Sequence, residues 1–459
     1  MKLRAIWWGS LLLSISMHAD AQNNPQSQTP PSPAFGQNMP ILSPENPPLS
    51  GLDEPSLELR TVNRSFVSGA LQVGESADSN SGNQLGGSKM TGVSHVLGAL
   101  DLQKLWPRSD LFLEYLGGAG FGNNNYYVRQ LQALGLEAIT RGRTGQLTLR
   151  DGLNYLPDGS FFAASAGGLP GFGIATTGLQ LGLPGLYHQV GGSLGTGARL
   201  SNTATLDVVQ AITPRSAVTV VGAFGNTHFY HNVDNLIDGD ESTVEAGYSH
   251  LVSRHDQIAI VDAFQLFRFP TRVGGEVYNN VFNVRWSHVI TGRLSFLGGA
   301  GAQYTDVRLG VSSTNWSVSG RAVLRYQFER SSLTASYAKF TSPGSGFFAG
   351  AETQVAEVSF RRPIGRTFEF SSVGGFSHNK RLQPTFDFGA AGANSYNEGF
   401  FGMILKKHLG RSWDALAAYR FSEVQFNTTV TVAGSTGSTS QRQVGTIALE
   451  WHPKAIRID

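Results

Sequence analysis

The sequence of 459 residues contains no cysteine, which removes disulfides and thiolate metal sites as sources of stability. Beyond its first residues no stretch approaches 18 continuous apolar positions, which excludes helical membrane spans. Charge is also scarce: Asp, Glu, Lys and Arg make up 15% of the chain, with a formal net charge of +2. Such a balance lacks the basic footprint of a nucleic-acid-binding protein. Proline is unevenly placed, since nine of the 19 fall between Pro25 and Pro55.

The start of the chain has the pattern of an export signal. Lys2 and Arg4 precede an apolar run from Ile6 to Ile15, and Ala19-Asp20-Ala21 is a small-residue cleavage site. Cleavage after Ala21 is expected, so residues 1–21 are excluded from the fold. Without Lys2, Arg4 and Asp20 the formal charge becomes +1. Residues 22–60, rich in Pro, Gln, Asn and Ser, read as an extended tether. As a linker this tether needs no ligand, though it offers a surface for a periplasmic partner.

Residues 61–452 carry a different pattern. From Asn315 to Glu329, Trp316, Val318, Gly320, Ala322, Leu324, Tyr326 and Phe328 alternate with a polar set that includes Arg321 and Arg325. Side chains two apart on a strand share a face, so this is one long strand with one apolar and one polar side. Similar strands flank short basic turns centred on Arg108, Arg143, Arg215, Arg254, Arg293, Arg330, Arg366 and Arg411. All but one of the steps between these arginines span about 35–45 residues, the mark of a repeated strand–turn–strand–loop unit. Polar segments intervene at Asn123–Asn125, Asn232–Asp240, Thr271–Gly275, Pro343–Gly350, Gln383–Ser395 and Thr428–Ser440, and read as longer loops at the opposite end. Eight short turns join 16 strands, and one strand at each end gives about 18, within a range of 16–20. The stretch Ser160–Gly195 is either a long loop folded into the pore or an extra hairpin, which would make 20.

The apolar face meets either a protein core or lipid. Tyr278, Phe282, Val284 and Trp286 form a row long enough for a tilted span. Trp106, Trp286, Trp413 and Trp451 sit beside short turns or the C-terminus, where an interfacial belt places aromatic anchors. The other face carries Asp101, Glu114, Arg150, Glu245, Arg285, Arg321, Arg325, Glu357, Arg361, Glu369, Glu398 and Arg420. That many charges in a dry sandwich core would cost several kcal/mol for each unpaired ion, whereas a wet lumen avoids the cost. A propeller repeat of similar length would need four short strands, and these repeats hold two long ones. The pattern therefore predicts an all-β, transmembrane, antiparallel up-and-down barrel.

With these features the chain resembles bacterial outer-membrane β-barrels of the porin-like class, across roughly residues 60–451. The resemblance rests on pattern and on no short motif. It implies a Gram-negative-type outer membrane, short turns in the periplasm, lipid around the wall, and transport of small hydrophilic solutes. The segment Gln443–Trp451 is similar to the terminal strand that the insertion machinery reads in this class; a charged tail, residues 453–459, follows it.

The resemblance leaves several functions open. Arg285, Arg321, Arg325 and Arg361, set across a pore from Glu357, Glu369 and Glu398, would produce a transverse field biasing ion passage; Arg420 is a further lining candidate. The competing reading gives these charges only solvation and strand-pairing roles. No Gly-x-Ser-x-Gly elbow is present. His228 and His231 lie beside Asp234, Asp238 and Asp240, a set weighed as a cation site or hydrolytic pair against a plain solvated loop. His288, next to Trp286, reads as an interfacial anchor. The leading function is diffusion of small hydrophilic solutes or ions through the lumen, with no cofactor. The alternative is export or assembly, for example of a polysaccharide, with the tether docking a periplasmic protein; a hydrolase is the third. Lipid-facing and subunit-facing apolar strands look alike, so a homo-oligomer fits the pattern as well as a monomer.

Overall fold

The computed structural model describes residues 56–57, 65–80, 85–86, 90–122, 128–156, 181–182, 198–230, 236–270, 274–343, 347–382, 392–432 and 435–458. The export signal, nearly all of the tether and most of Ser160–Gly195 lie outside these residues. The wall begins with β1 (Phe66–Asp78), β2 (Thr91–Leu105), β3 (Ser109–Gly122), β4 (Val128–Arg141) and β5 (Gly145–Leu156). It continues through β6 (Arg199–Thr213), β7 (Ser216–Phe229), β8 (Gly239–Leu251), β9 (Asp256–Phe269) and β10 (Gly275–Thr291). Next come β11 (Leu294–Leu309), β12 (Val311–Gln327), β13 (Ser332–Ser342) and β14 (Ala351–Ile364). It ends with β15 (Phe368–Arg381), β16 (Ser395–His408), β17 (Trp413–Val432) and β18 (Ser435–Trp451). Every strand pairs antiparallel with its sequence neighbours, and β1 pairs with β18, closing an 18-stranded barrel.

All eight basic turns are tight connections between consecutive strands. Because β5 pairs directly with β6, Ser160–Gly195 contributes no extra hairpin to the wall, and the count stays at 18. One expected loop is a strand instead. Thr428–Ser440 continues β17 to Val432 and restarts β18 at Ser435, with Val430 opposite Gly437. Its Gly, Ser and Thr together read as loop composition, yet the threonines and valines are β-branched residues that suit a pleated ribbon. Between β11 and β12 the outer connection is the single residue Gly310, whose φ of 77° is a left-handed turn conformation suited to glycine.

The two faces separate as the alternation requires. Phe282, Val284 and Trp286 point outward at 50%, 48% and 44% exposure, while the intervening Asn283 and Arg285 are buried inside. The outward face is thus an apolar belt around a closed sheet, with no helical cover among the described residues, the arrangement of a transmembrane barrel. Aromatics bound it at both ends. At the short-turn end Trp106, Trp286, Trp413 and Trp451 are all exposed, and Trp286 packs on Phe296 with ring centroids 5.8 Å apart. At the outer end Tyr304 meets Trp316 at 5.0 Å. Glu75 and Asp262 are polar exceptions on the outward face.

Two ladders in this wall are short. The closure between β1 and β18 runs only from Leu71↔Trp451 to Asp78↔Val444, and β12 pairs with β13 only from Gly320↔Lys339 to Gln327↔Ser332. Below the closure, the tail returns: Ile456–Arg457 pairs with Phe66 and Val67.

Candidate functional site

The inward faces of the strands stack into three layers. At the short-turn end, β12 to β15 carry Arg321, Arg325, Glu357, Arg361 and Glu369, which are partly accessible. Arg361 Nε donates to Glu369 Oε1 at 2.6 Å, with 39% and 25% of the two side chains exposed. Arg321 lies within electrostatic range of Glu357. A cavity of ≈ 290 Å³ opens at this rim, lined by Arg293, Ser295, Arg325 and Thr334 among others. Around the wall, on β16 to β18, Lys406 bridges Asp414 at 2.7 Å and Glu450 at 3.5 Å.

Above these charges runs a belt of amides and hydroxyls. Asn279 Nδ2 donates to Gln265 Oε1 at 2.5 Å, and Thr305 Oγ1 donates to Asn279 Oδ1 at 2.9 Å. Gln303 Nε2 reaches Thr305 and then Thr341 on β13. On the next strands Thr353 donates to Asn379 at 2.8 Å, Asn379 to Ser377 at 3.1 Å, and Ser377 to Glu398 at 3.3 Å. In register with Arg321 through Gly299, Arg285 makes a two-point pair with Glu245, at 3.0 and 3.1 Å, and the two are 3% and 1% exposed. Arg150 pairs with Glu137 at 3.0 Å. Such buried pairs hold because each charge has its partner; removing one leaves the other stranded at a cost of about 3–5 kcal/mol.

The outer layer is apolar. Phe267, Phe269, Val277, Val307 and Leu309 face inward from β9 to β11 and pack with Ile237 and Ala349. Beside them, Leu85, Leu236, Phe347, Phe348 and Ala393 from four connections meet Tyr396, Val424, Phe426 and Val430. Phe347 and Tyr396 cross edge-on at 5.8 Å, and Arg381 caps the Phe348 ring at 4.8 Å. The described parts of these four connections therefore fold inward and pack at the outer end, because burying these rings removes apolar surface that projecting side chains would expose.

The sequence-derived lining candidates all face inward, but in a different order from the expected one. Arg285 is buried in its pair with Glu245, whereas Arg321, Arg325 and Arg361 are accessible. Glu357 and Glu369 lie on β14 and β15, next to the arginines, and Arg361 pairs with Glu369. Glu398 is buried on β16 within electrostatic range of Arg420 on β17. Among these candidates Arg361 and Glu369 form a local pair on neighbouring strands, and Arg285 pairs with Glu245 on β8.

Around the outer rim, Asp238 accepts from the Phe229 backbone N–H at 2.9 Å and lies 2.8 Å from His228 Nδ1. It clamps the turn into β8. Asp240 bonds Asn226, while His231 and Asp234 lie outside the described residues. Among the described residues no group of three or more His, Asp or Glu is placed to hold a metal ion. His288 stacks on Trp286 at 5.3 Å and, like the indole nitrogen, contacts Asp256, a fixed outward corner at the interface. Sequence reasoning did not reach the Gln265–Asn279–Thr305 belt or the inward phenylalanines. Neutral amides leave no charge signal, and β9 is apolar on both faces.

No family model matches the chain, and no curated sequence matches it at a significant level. Solved structures are similar to it at a low level. The crystal structure of Pseudomonas aeruginosa OccK2 (OpdF) in complex with glucuronate is 9% identical, with a TM-score of 0.41, over 84% of this chain and 97% of that one. Pseudomonas aeruginosa OpdO is 14% identical with a TM-score of 0.41, over 86% and 98%. The open form of the ferric-catecholate import receptor Fiu from Escherichia coli K12 is 9% identical with a TM-score of 0.40, over 87% and 82%.

Proposed function

We propose that this chain is an outer-membrane channel for small hydrophilic solutes or ions, held shut at its outer end by the inward-folded connections. The observation that carries this reading is the inward face itself. Accessible charges at the short-turn end lead to runs of bonded amides and hydroxyls on β9 to β16, within a sheet whose outside is apolar. A belt of this kind can trade its internal hydrogen bonds for bonds to a polar solute, whereas the apolar cap cannot. Passage then requires Phe347 and Phe348 to leave the lumen.

Planar-bilayer recording tests the reading. The purified protein should give small, intermittent ion currents, and Phe347→Ala combined with Phe348→Ala should raise the open fraction. Absence of conductance from both proteins, correctly folded, would overturn it. Arg321 and Arg325 are assigned to the conduction path. Replacing both with Glu should shift reversal potentials toward cation preference, and an unchanged preference would remove them from the path.

A further inference from the structure

The wall is discontinuous between β12 and β13. Pairing ends at Gly320↔Lys339, but β12 continues for nine residues to Val311, still paired to β11 on its other edge. Among the described residues, no ladder covers the β13-side edge of 311–319. Trp316 and Val318 are accordingly among the most exposed apolar residues of the outward face, at 71% and 61%. The Trp316–Tyr304 contact marks the outer interface, so positions 317–320 lie below it, at the depth of the outer leaflet.

β13 stays paired with β14 to Ser342↔Ala351, but its outer end is offset from the plane of β11 and β12. By alternation Phe340 faces inward and Thr341 outward, yet both are buried, at 6% and 0%. Thr341 contacts Gln303, an inward residue of β11 that is itself paired with Ser317 of β12. The end of β13 has therefore swung behind β12, making a lapped seam. Directly after it the chain carries Phe347 and Phe348 into the apolar outer layer.

Apolar surface lies on both sides of this seam. Inside are Val307, Leu309, Phe267 and Phe269. Outside, beginning next to the last pair, a groove of ≈ 460 Å³ runs down β11 to β15 between Phe296, Ala322, Leu324, Tyr337, Val358 and Phe376. Lipid cannot satisfy a bare strand edge, and such backbone is tolerated at membrane depth only beside protein or a cavity. A passage for polar solutes needs neither an apolar chamber nor a break in the wall.

We propose that the β12–β13 seam is a lateral exit for an apolar or amphipathic hydrocarbon-like molecule. Such a molecule replaces Phe347 and Phe348 in the outer chamber, displaces the end of β13, and leaves along the outer groove into the outer leaflet. This route does not depend on the passage of hydrophilic solutes, which conductance reads separately.

The absence of cysteine allows a direct test. Gln303→Cys and Thr341→Cys are joined by a short bis-methanethiosulfonate reagent, which staples the end of β13 behind β12 and is removed by dithiothreitol. In cells producing the chain, uptake of N-phenyl-1-naphthylamine should exceed the empty-vector rate, fall to that rate when stapled, and recover on reduction. Equal uptake with and without the staple, or no gain over the vector, overturns the proposal. A second measurement avoids the double variant. A bimane label on Ser317→Cys, inward but beside the seam, should be quenched by lipids brominated near the glycerol end. The same label on Thr243→Cys, inward behind fully paired strands, should not. Equal quenching at the two positions also overturns it.

Discussion

The barrel has two weak ladders of equal length, and they are secured in opposite ways. Both the β1–β18 closure and the β12–β13 seam hold eight backbone pairs, while neighbouring ladders such as β11–β12 hold sixteen. The closure is reinforced by buried side chains. Arg442 makes a two-point pair with Asp78, Ser76 bonds Thr446 at 2.8 Å, and Asn80 Nδ2 donates to Ser440 Oγ at 3.2 Å. The tail then adds its own pairing below. At the other seam Gln303 of β11 bonds Thr341, a neutral contact to a strand end that laps behind β12 while staying paired with β14. A closure exists to stay shut, and charged, fully partnered groups suit that role. A neutral latch worth about 1 kcal/mol suits a joint that opens.

Four substitutions sharpen or break this contrast. Arg442→Ala should have the largest effect, since it strands the buried Asp78 carboxylate at a cost of about 3–5 kcal/mol. The check is the urea midpoint of the detergent-folded protein, with loss of the heat-sensitive compact band on gels; a shift below 1 kcal/mol, a bound set by the same estimate, would rule out a stitched closure. Phe347→Ala comes next. Emptying a buried ring site costs about 3–5 kcal/mol, but the loss falls locally on the cap, so hydrogen exchange of the outer connections should rise with little change in the wall. Thr341→Val should cost only about 1 kcal/mol by removing the Gln303 partner, yet should accelerate apolar-probe uptake. If it destabilises the barrel as Arg442→Ala does, the seam is a structural joint after all. The smallest stability change belongs to Arg325→Glu, on the accessible layer, at roughly 0.5 kcal/mol or less. Its readout is ion preference, and an unfolding midpoint moved as far as by Thr341→Val would contradict its placement.

Much of the fold was legible because two periodicities coincided. The alternation of Trp316, Val318, Ala322 and Leu324 with Arg321 and Arg325 marks two faces, and the recurring Arg turns mark one end. Together they fix strand number and direction. Alternation does not say which face is which when both are apolar. On β9 Ile258, Ile260, Phe264 and Leu266 face out, while Ala259, Val261, Phe267 and Phe269 face in, so the outer chamber could not be foreseen. Nor does a sequence state which side chains meet across the barrel. Asp78 and Arg442 are 364 positions apart, and neither stands out from its neighbours. Arg321, Arg325 and Arg361 were legible as charges of the inward face; the pairing of Arg361 with Glu369 required the register of β14 and β15.

The closure has a further consequence for how the molecule assembles. Leu71 and Trp451 stand opposite each other, so the first strand made must wait for the last before its outer edge is satisfied. Bringing such distant segments together carries the highest ordering entropy of any ladder here, and topologies dominated by remote pairings are slow to form. Until that step the growing sheet presents two bare edges to other chains, an invitation to aggregate. The ion pair and hydroxyl contacts that stitch the closure cannot help earlier, because they form only when it does. They act as a catch on the final event of biogenesis, raising the barrier to reopening without easing the approach.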